Sequence, residues 1–259
     1  MDQEDAINAA GRHDHLVQFY SSSQSLAETA GHFIAEGLRN GESVIVVATS
    51  GHRAHFDAAL AAAGVDLSSA RGAGRLIEPD ADRTLALFMS EGQPLWARFQ
   101  ATVGKILDEA AARPGGVRVY GEMVDVLWQA GNLSAATRLE IYWNQILSAR
   151  RIPLFCAYRA DLLHDAVDHS QLEHILRTHS HLLPAHGALE SAVSQALVET
   201  VGKAQAEALR PLIAATQTPG AKLPWAEAAV FWLKNNLPHL ADRVLGRARR
   251  IMEVGGVPT

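Results

Sequence analysis

Residues 117–132, VRVYGEMVDVLWQAGN, decide how the chain reads. A β-branched and aromatic run, Val117 to Tyr120, follows the turn pair Gly115-Gly116. Gly121-Glu122 then leads into an apolar, helix-like segment over residues 123–128 that stops at Gly131-Asn132. Open α/β sheets present polar groups to ligands in this way, by passing a carboxylate from a strand end to a helix start. Glu122 is thus the first candidate site residue, with no basic residue nearer in sequence than Arg118.

Outward from this stretch, residues 43–48 (SVIVVA) and 153–158 (PLFCAY) are near-continuous apolar runs, the mark of strands buried on both faces. HLVQFY at 15–20 and GRLIE at 74–78 complete a set of five strands. Between them the apolar spacing predicts helices over 26–38, 53–63, 84–89, 94–112 and 134–150, and another from Asp161. Ser21-Ser22-Ser23, Thr49-Ser50 and Ser134 stand where helix caps are needed. Strands alternating with helices imply right-handed crossovers, hence an α/β fold with a mostly parallel sheet flanked by helices.

Beyond Pro184 the pattern is helical throughout, with one helix expected over 188–215 and a second from Pro224 to about Met252, kinked or broken at Pro238. The expected division is a flexible N-terminus at 1–12, an α/β domain at 13–185 and a helical extension at 186–259. That extension is expected to pack on the first domain or on a second copy, giving a homodimer.

The net charge is −5, which disfavours wholesale binding to nucleic acid or anionic membranes. No apolar run approaches the ~18 residues of a membrane span, and the polar start argues against a secretory signal, so a cytoplasmic location is expected. The single cysteine, Cys156, lies in an apolar strand and reads as a buried structural thiol.

A nucleotide-binding sheet needs glycines and a lysine after its first strand. Here the turn is Tyr20-Ser-Ser-Ser, and the chain's four lysines (105, 203, 222 and 234) all lie elsewhere. ATP hydrolysis is not expected, although the serines at Ser21 and beyond suit an anion at a helix N-terminus. Histidine is abundant, with 12 in all and two His-x-His pairs, His13/His15 and His179/His181. On a strand, residues i and i+2 share a face, so each pair suits metal chelation, against the plainer reading of solvated histidines. His52 and His55 read as exposed, Trp128 and Trp143 as core, Asn132 as a helix C-cap or turn residue, and Glu140 as a carboxylate complementing a helix dipole. No nucleophile elbow or zinc-protease helix occurs, so an enzyme is not expected.

HxHLVQFY, GESVIVVAT, GEMVDVLWQAGN, RLEIYWNQI, PLFCAY and HSHLLP together resemble the MEDS domain, the methanogen/methylotroph DcmR-type sensory domain, over about residues 11–185. The resemblance implies a RecA/KaiC-like fold without a working phosphate loop. It implies a sensor of small molecules, hydrocarbon derivatives among them, that signals alone or through a kinase, anti-sigma or DNA-binding module. Position by position it points to His13, Tyr20, Gly121, Glu122, Trp128 and Asn132. It points equally to Glu140, Trp143, Asn144, Tyr158, His179 and His181. The chain departs from the family in Ser21-Ser22-Ser23, where acidic residues are common, and in a tail that matches no output module. The expected function is a non-enzymatic sensor of prokaryotic signal transduction, with a small-molecule ligand near Tyr20, Ser21, Thr49, Glu122 and Tyr158, flanked by Trp128, Asn132 and Trp143. Its tail or a partner protein would carry the signal. The alternatives are a degenerate nucleotide-binding protein and a metal- or cofactor-binding protein.

Overall fold

The computed structural model describes Ile7 and residues 14–163, 169–184, 187–215, 221 and 223–255. The flexible start expected at 1–12 lies outside these apart from Ile7, which is buried.

The chain opens with β1 (His15–Tyr20), α1 (Ser23–Arg39), β2 (Ser43–Val47), α2 (Ser50–Ala62), α3 (Leu67–Gly72) and β3 (Leu76–Ile77). Next come α4 (Ala81–Phe88), a hairpin of β4 (Met89–Ser90) and β5 (Gln93–Pro94), then α5 (Trp96–Phe99), which passes through a π turn (Gln100–Gly104) into α6 (Lys105–Ala111). The central elements are β6 (Val117–Gly121), α7 (Met123–Gln129), α8 (Leu133–Ala149) and β7 (Leu154–Arg159). After α9 (His169–Thr178) and β8 (His181–Leu183) the tail forms α10 (Gly187–Val201), α11 (Lys203–Ala214), α12 (Trp225–Asn236) and α13 (Pro238–Gly255).

The main sheet has six strands in the order β3-β2-β6-β7-β1-β8, and every pairing is parallel. Its two faces are covered by different helices, so the side-chain alternation of each strand feeds two cores. Leu16, Tyr20, Val44, Val46, Tyr120 and Phe155 face α1 and α2. Val17, Phe19, Ile45, Val47, Val119 and Cys156 face α4 to α9, in a core that runs on into the tail through Val193, Phe231 and Leu245. Helices after β1 and β2 thus cover one face and those after β6 and β7 the other, which opens crevices beyond the strand ends at β1/β7 and β2/β6.

All five expected strands form, and β8 is a sixth that the sequence reading took for the end of the domain. The helix expected from Asp161 does not begin there: Asp161 accepts a hydrogen bond from the Leu163 N–H (2.9 Å), fixing a turn, and the described helix starts at His169. The single helix expected over 188–215 is broken at Gly202, whose φ of 84° suits only glycine. The break expected at Pro238 occurs, between α12 and α13. Asn132, rather than Ser134, caps α8, its Oδ1 accepting from the Ala135 N–H at 3.2 Å. Before β6, Gly115 (φ 107°) lies against the Gly41 carbonyl so closely that a Cβ there would overlap it.

Candidate functional site

Glu122 directly follows β6 at the β2/β6 crevice, its backbone N–H bonded to Val47 O (3.1 Å). The carboxylate accepts from the Thr49 backbone N–H, from His52 Nδ1 at 2.6 Å and from the Tyr120 hydroxyl at 3.1 Å. Thr49 sits at the N-cap of α2 but makes no capping bond with its own side chain. A glutamate from a neighbouring strand takes the part that a local glutamate plays in a capping box. His52 is therefore not exposed as expected: its side chain is 16% accessible, because α2 starts on top of Glu122. The bond to Glu122 holds the His52 imidazole above its ordinary pKa, against the opposing effect of burial. Arg118 plays no part here, since it turns to the α1 face and pairs with Glu42 at 2.7 Å.

The neighbouring β1/β7 crevice holds a second polar group. Tyr20 donates its hydroxyl proton to Asp125 Oδ2 (2.7 Å), while Asp125 Oδ1 accepts from the Arg159 N–H (2.8 Å) and Gln129 Nε2 (3.3 Å). Burial raises the Asp125 pKa, and these three hydrogen bonds oppose it. Beside Tyr20 lies a cavity of about 340 Å³. Its floor is the β1–α1 turn (Phe19 to Ser22) with Ser25, one wall is residues 160–163 after β7, and the opposite wall is Leu189, Arg249, Met252 and Glu253 of the tail. The Arg249 guanidinium donates to Leu163 O, and its buried Nε has no hydrogen-bond partner among the described residues.

The expected ligand residues do not share one pocket. Tyr20 and Ser21 line this cavity, with Thr49 and Glu122 in the adjoining network. Trp128 and Tyr158 border a smaller cavity of about 170 Å³ on the α8 face, together with Glu140 and Thr178. Trp143 is 1% exposed and packs edge-on to Phe99, and Asn132 is committed to capping.

A third cluster lies under α8, between β1, β7 and the α9–β8 connection. His15, Glu140, Cys156 and His179 are all buried, with their donor atoms within 4.8 Å of one another. The structure thus unites one histidine from each His-x-His pair. His13 lies outside the described residues. His181 stands apart, 22% exposed and 3.7 Å from Asp14, because His179 precedes β8 and the two do not alternate on one strand. Glu140 is 1% exposed, faces the sheet and lies two turns into α8, which starts at Leu133, so it is not the partner of the helix dipole that the sequence suggests. Tyr158 donates to Glu140 Oε1. Burial pushes the Glu140 carboxyl up to about 8 and depresses His15 to about 4; His179 is lowered by burial and by His15 beside it. Burial, with Glu140 nearby, also pushes the Cys156 thiol up.

A parallel sheet covered on both faces, with polar groups gathered beyond its strand ends, defines an α/β domain of the type that carries its sites at that edge. Residues 14–180 match the family model described as MEDS, the MEthanogen/methylotroph, DcmR Sensory domain, and the chain belongs to this family. The family description gives it a sensory role in signalling. No curated protein matches the chain. Among the described residues no helix is long and apolar enough to cross a membrane.

Proposed function

We propose that the protein is a non-enzymatic, cytoplasmic sensor that takes a small organic ligand into the cavity beside Tyr20. The observation that carries this reading is the composition of the walls: two loops of the sensory sheet and the last tail helix, α13, close on the same space. A ligand held there contacts both parts, so its binding energy bears directly on how the tail is seated. Phe19, Leu162, Leu163, Leu189 and Met252 suit an apolar body, and Ser22, Ser25 and Arg249 suit one polar end. The tail then signals as a homodimer or to a partner protein. The RecA/KaiC-like ancestry implied by the motifs agrees with the parallel sheet and with a first βα turn that lacks glycine and lysine.

A thermal-shift panel of short-chain alcohols, amines and carboxylic acids, run with ATP alongside, tests this. At least one short-chain compound is expected to raise the melting temperature of the full chain and to lose that effect in Leu163→Trp, which fills the cavity. Stabilisation by ATP alone would favour a degenerate nucleotide-binding protein. No shift with any compound would sink the ligand reading.

A further inference from the structure

The edge cavity leaves the buried cluster under α8 without a role. Its hydrogen bonding is incomplete. The His15 ring holds Nδ1 at 3.1 Å from both Thr178 O and Asn144 Oδ1, and Asn144 is fixed in that sense by donating Nδ2 to Thr178 O at 3.0 Å. The His179 ring points Nδ1 at Ile175 O, 2.7 Å away. Both Nδ1 atoms face carbonyl oxygens, so both carry the proton and both Nε2 atoms are acceptors, that of His15 toward the Cys156 thiol. Glu140 Oε1 is taken by Tyr158, whereas Glu140 Oε2 and His179 Nε2 are buried with no hydrogen-bond partner among the described residues. Two imidazole lone pairs and a carboxylate oxygen thus converge, with one thiol, Cys156, as their neighbour. Buried acceptors left this way are costly: the thiol reaches His15 Nε2 at 3.3 Å, but His179 Nε2 has no hydrogen-bond donor among the described residues.

We propose that His15, Glu140, Cys156 and His179 bind one divalent transition-metal cation, with zinc the best fit. A tetrahedral zinc with nitrogen and oxygen at about 2.0–2.1 Å and sulfur at about 2.3 Å sets its donors about 3.3–3.6 Å apart. Here His15 Nε2 is 3.3 Å from Cys156 Sγ and 3.4 Å from Glu140 Oε2, His179 Nε2 is 3.5 Å from the other carboxylate oxygen, Oε1, and the four donors all lie within 4.8 Å of one another, so a small inward shift closes the set on one cation. The mixture of two imidazoles, a thiolate and a carboxylate suits zinc among the available metals, and the carbonyl acceptors behind each ring are the usual means of aiming Nε2 at a metal. Binding replaces the thiol proton, and the carboxyl proton where present, with the cation; both protons leave to solvent. No redox change is involved.

The chain's single cysteine makes the test decisive. The full protein, treated with a chelator under reducing conditions, is titrated with Co²⁺ as a spectroscopic substitute for zinc. The expected result is saturable uptake of one Co²⁺ per chain with a sulfur-to-cobalt charge-transfer band, which Cys156 alone can supply, and its displacement by Zn²⁺. Asn144→Ala, which frees the His15 ring, is expected to weaken Co²⁺ binding about 10–100-fold. His181→Ala leaves it unchanged. A folded wild-type protein that takes up no Co²⁺, or takes it up without the charge-transfer band, overturns the proposal whether or not any variant folds.

Discussion

Glu122 and Glu140 are both buried carboxylates, 2% and 1% exposed, on segments that pack against the same sheet, yet they stand in opposite electrostatic conditions. Glu122 receives a backbone N–H, an imidazole and a phenol. Glu140 receives one phenol and faces lone pairs. The first carboxylate is complete as a structural tie between β6 and α2. The second lacks positive charge, and the protein alone holds it by keeping its proton to about pH 8. Burial alone therefore does not say what a carboxylate is for; the sign of its neighbours does.

The largest effect expected is from Trp143→Ala. Its ring holds α8, and with it Glu140, against the sheet, so removal is expected to cost about 3–5 kcal/mol in urea unfolding. A loss below about 1 kcal/mol would mean that α8 is not seated by this ring.

Glu122→Ala comes next. It strands the Thr49 N–H and His52 and is expected to cost about 3 kcal/mol, the low end for a broken buried pair because His52 keeps some contact with water. A near-neutral result would return Glu122 to the ligand site.

The pH dependence of the metal-free protein separates the two groups further. His15 and His179 have folded pKa values below the ordinary 6.5, so the unfolded chain binds more protons and stability falls as pH drops below 6.5. Glu140 is raised from 4.5 to about 8, and its contribution is lost as pH rises across that window. His52 is raised above 6.5, so its contribution is full below that value and lost as pH rises through its folded pKa. From 4.5 to 6.5 the two histidines act against two carboxyls, Glu140 and Asp125, both raised by burial, and above 6.5 only the losses remain. Stability is thus expected to fall as pH rises above 6.5. Urea unfolding at about pH 5, 6.5 and 8 checks this, and a steady rise across the range would contradict it.

The smallest effect is expected from Glu140→Gln in the metal-free protein, under about 1 kcal/mol, since it replaces an unpaired buried acid with a neutral isostere. A cost as large as that of Glu122→Ala would erase the contrast between the two carboxylates.

Most of the sheet was legible because its strands are apolar runs buried on both faces, which stand out from any helix period. β8 was not, since three residues beginning with a histidine carry no such signal. Glu122 was legible from the strand–carboxylate–helix sequence around it. Its partner His52 lies 70 residues away and Tyr20's partner Asp125 105, and no local pattern links either pair. The histidine pairs drew attention through their i, i+2 spacing, which does not say which rings meet. Joining His15 to Cys156 and His179 requires the order β7-β1-β8, which spacing along the chain does not contain.

That strand order also governs how the protein is made. β1 leaves the ribosome ahead of the other strands of its sheet, but its neighbours arrive last: His15 meets Cys156 across 141 residues and Ser180 across 165. Until then HLVQFY has neither flanking strand, and such long loop closures make folding slow and leave an aggregation-prone segment exposed. The step that inserts β1 between β7 and β8 is also the step that first brings His15, Cys156 and His179 together, so the buried cluster is completed only when the sheet is.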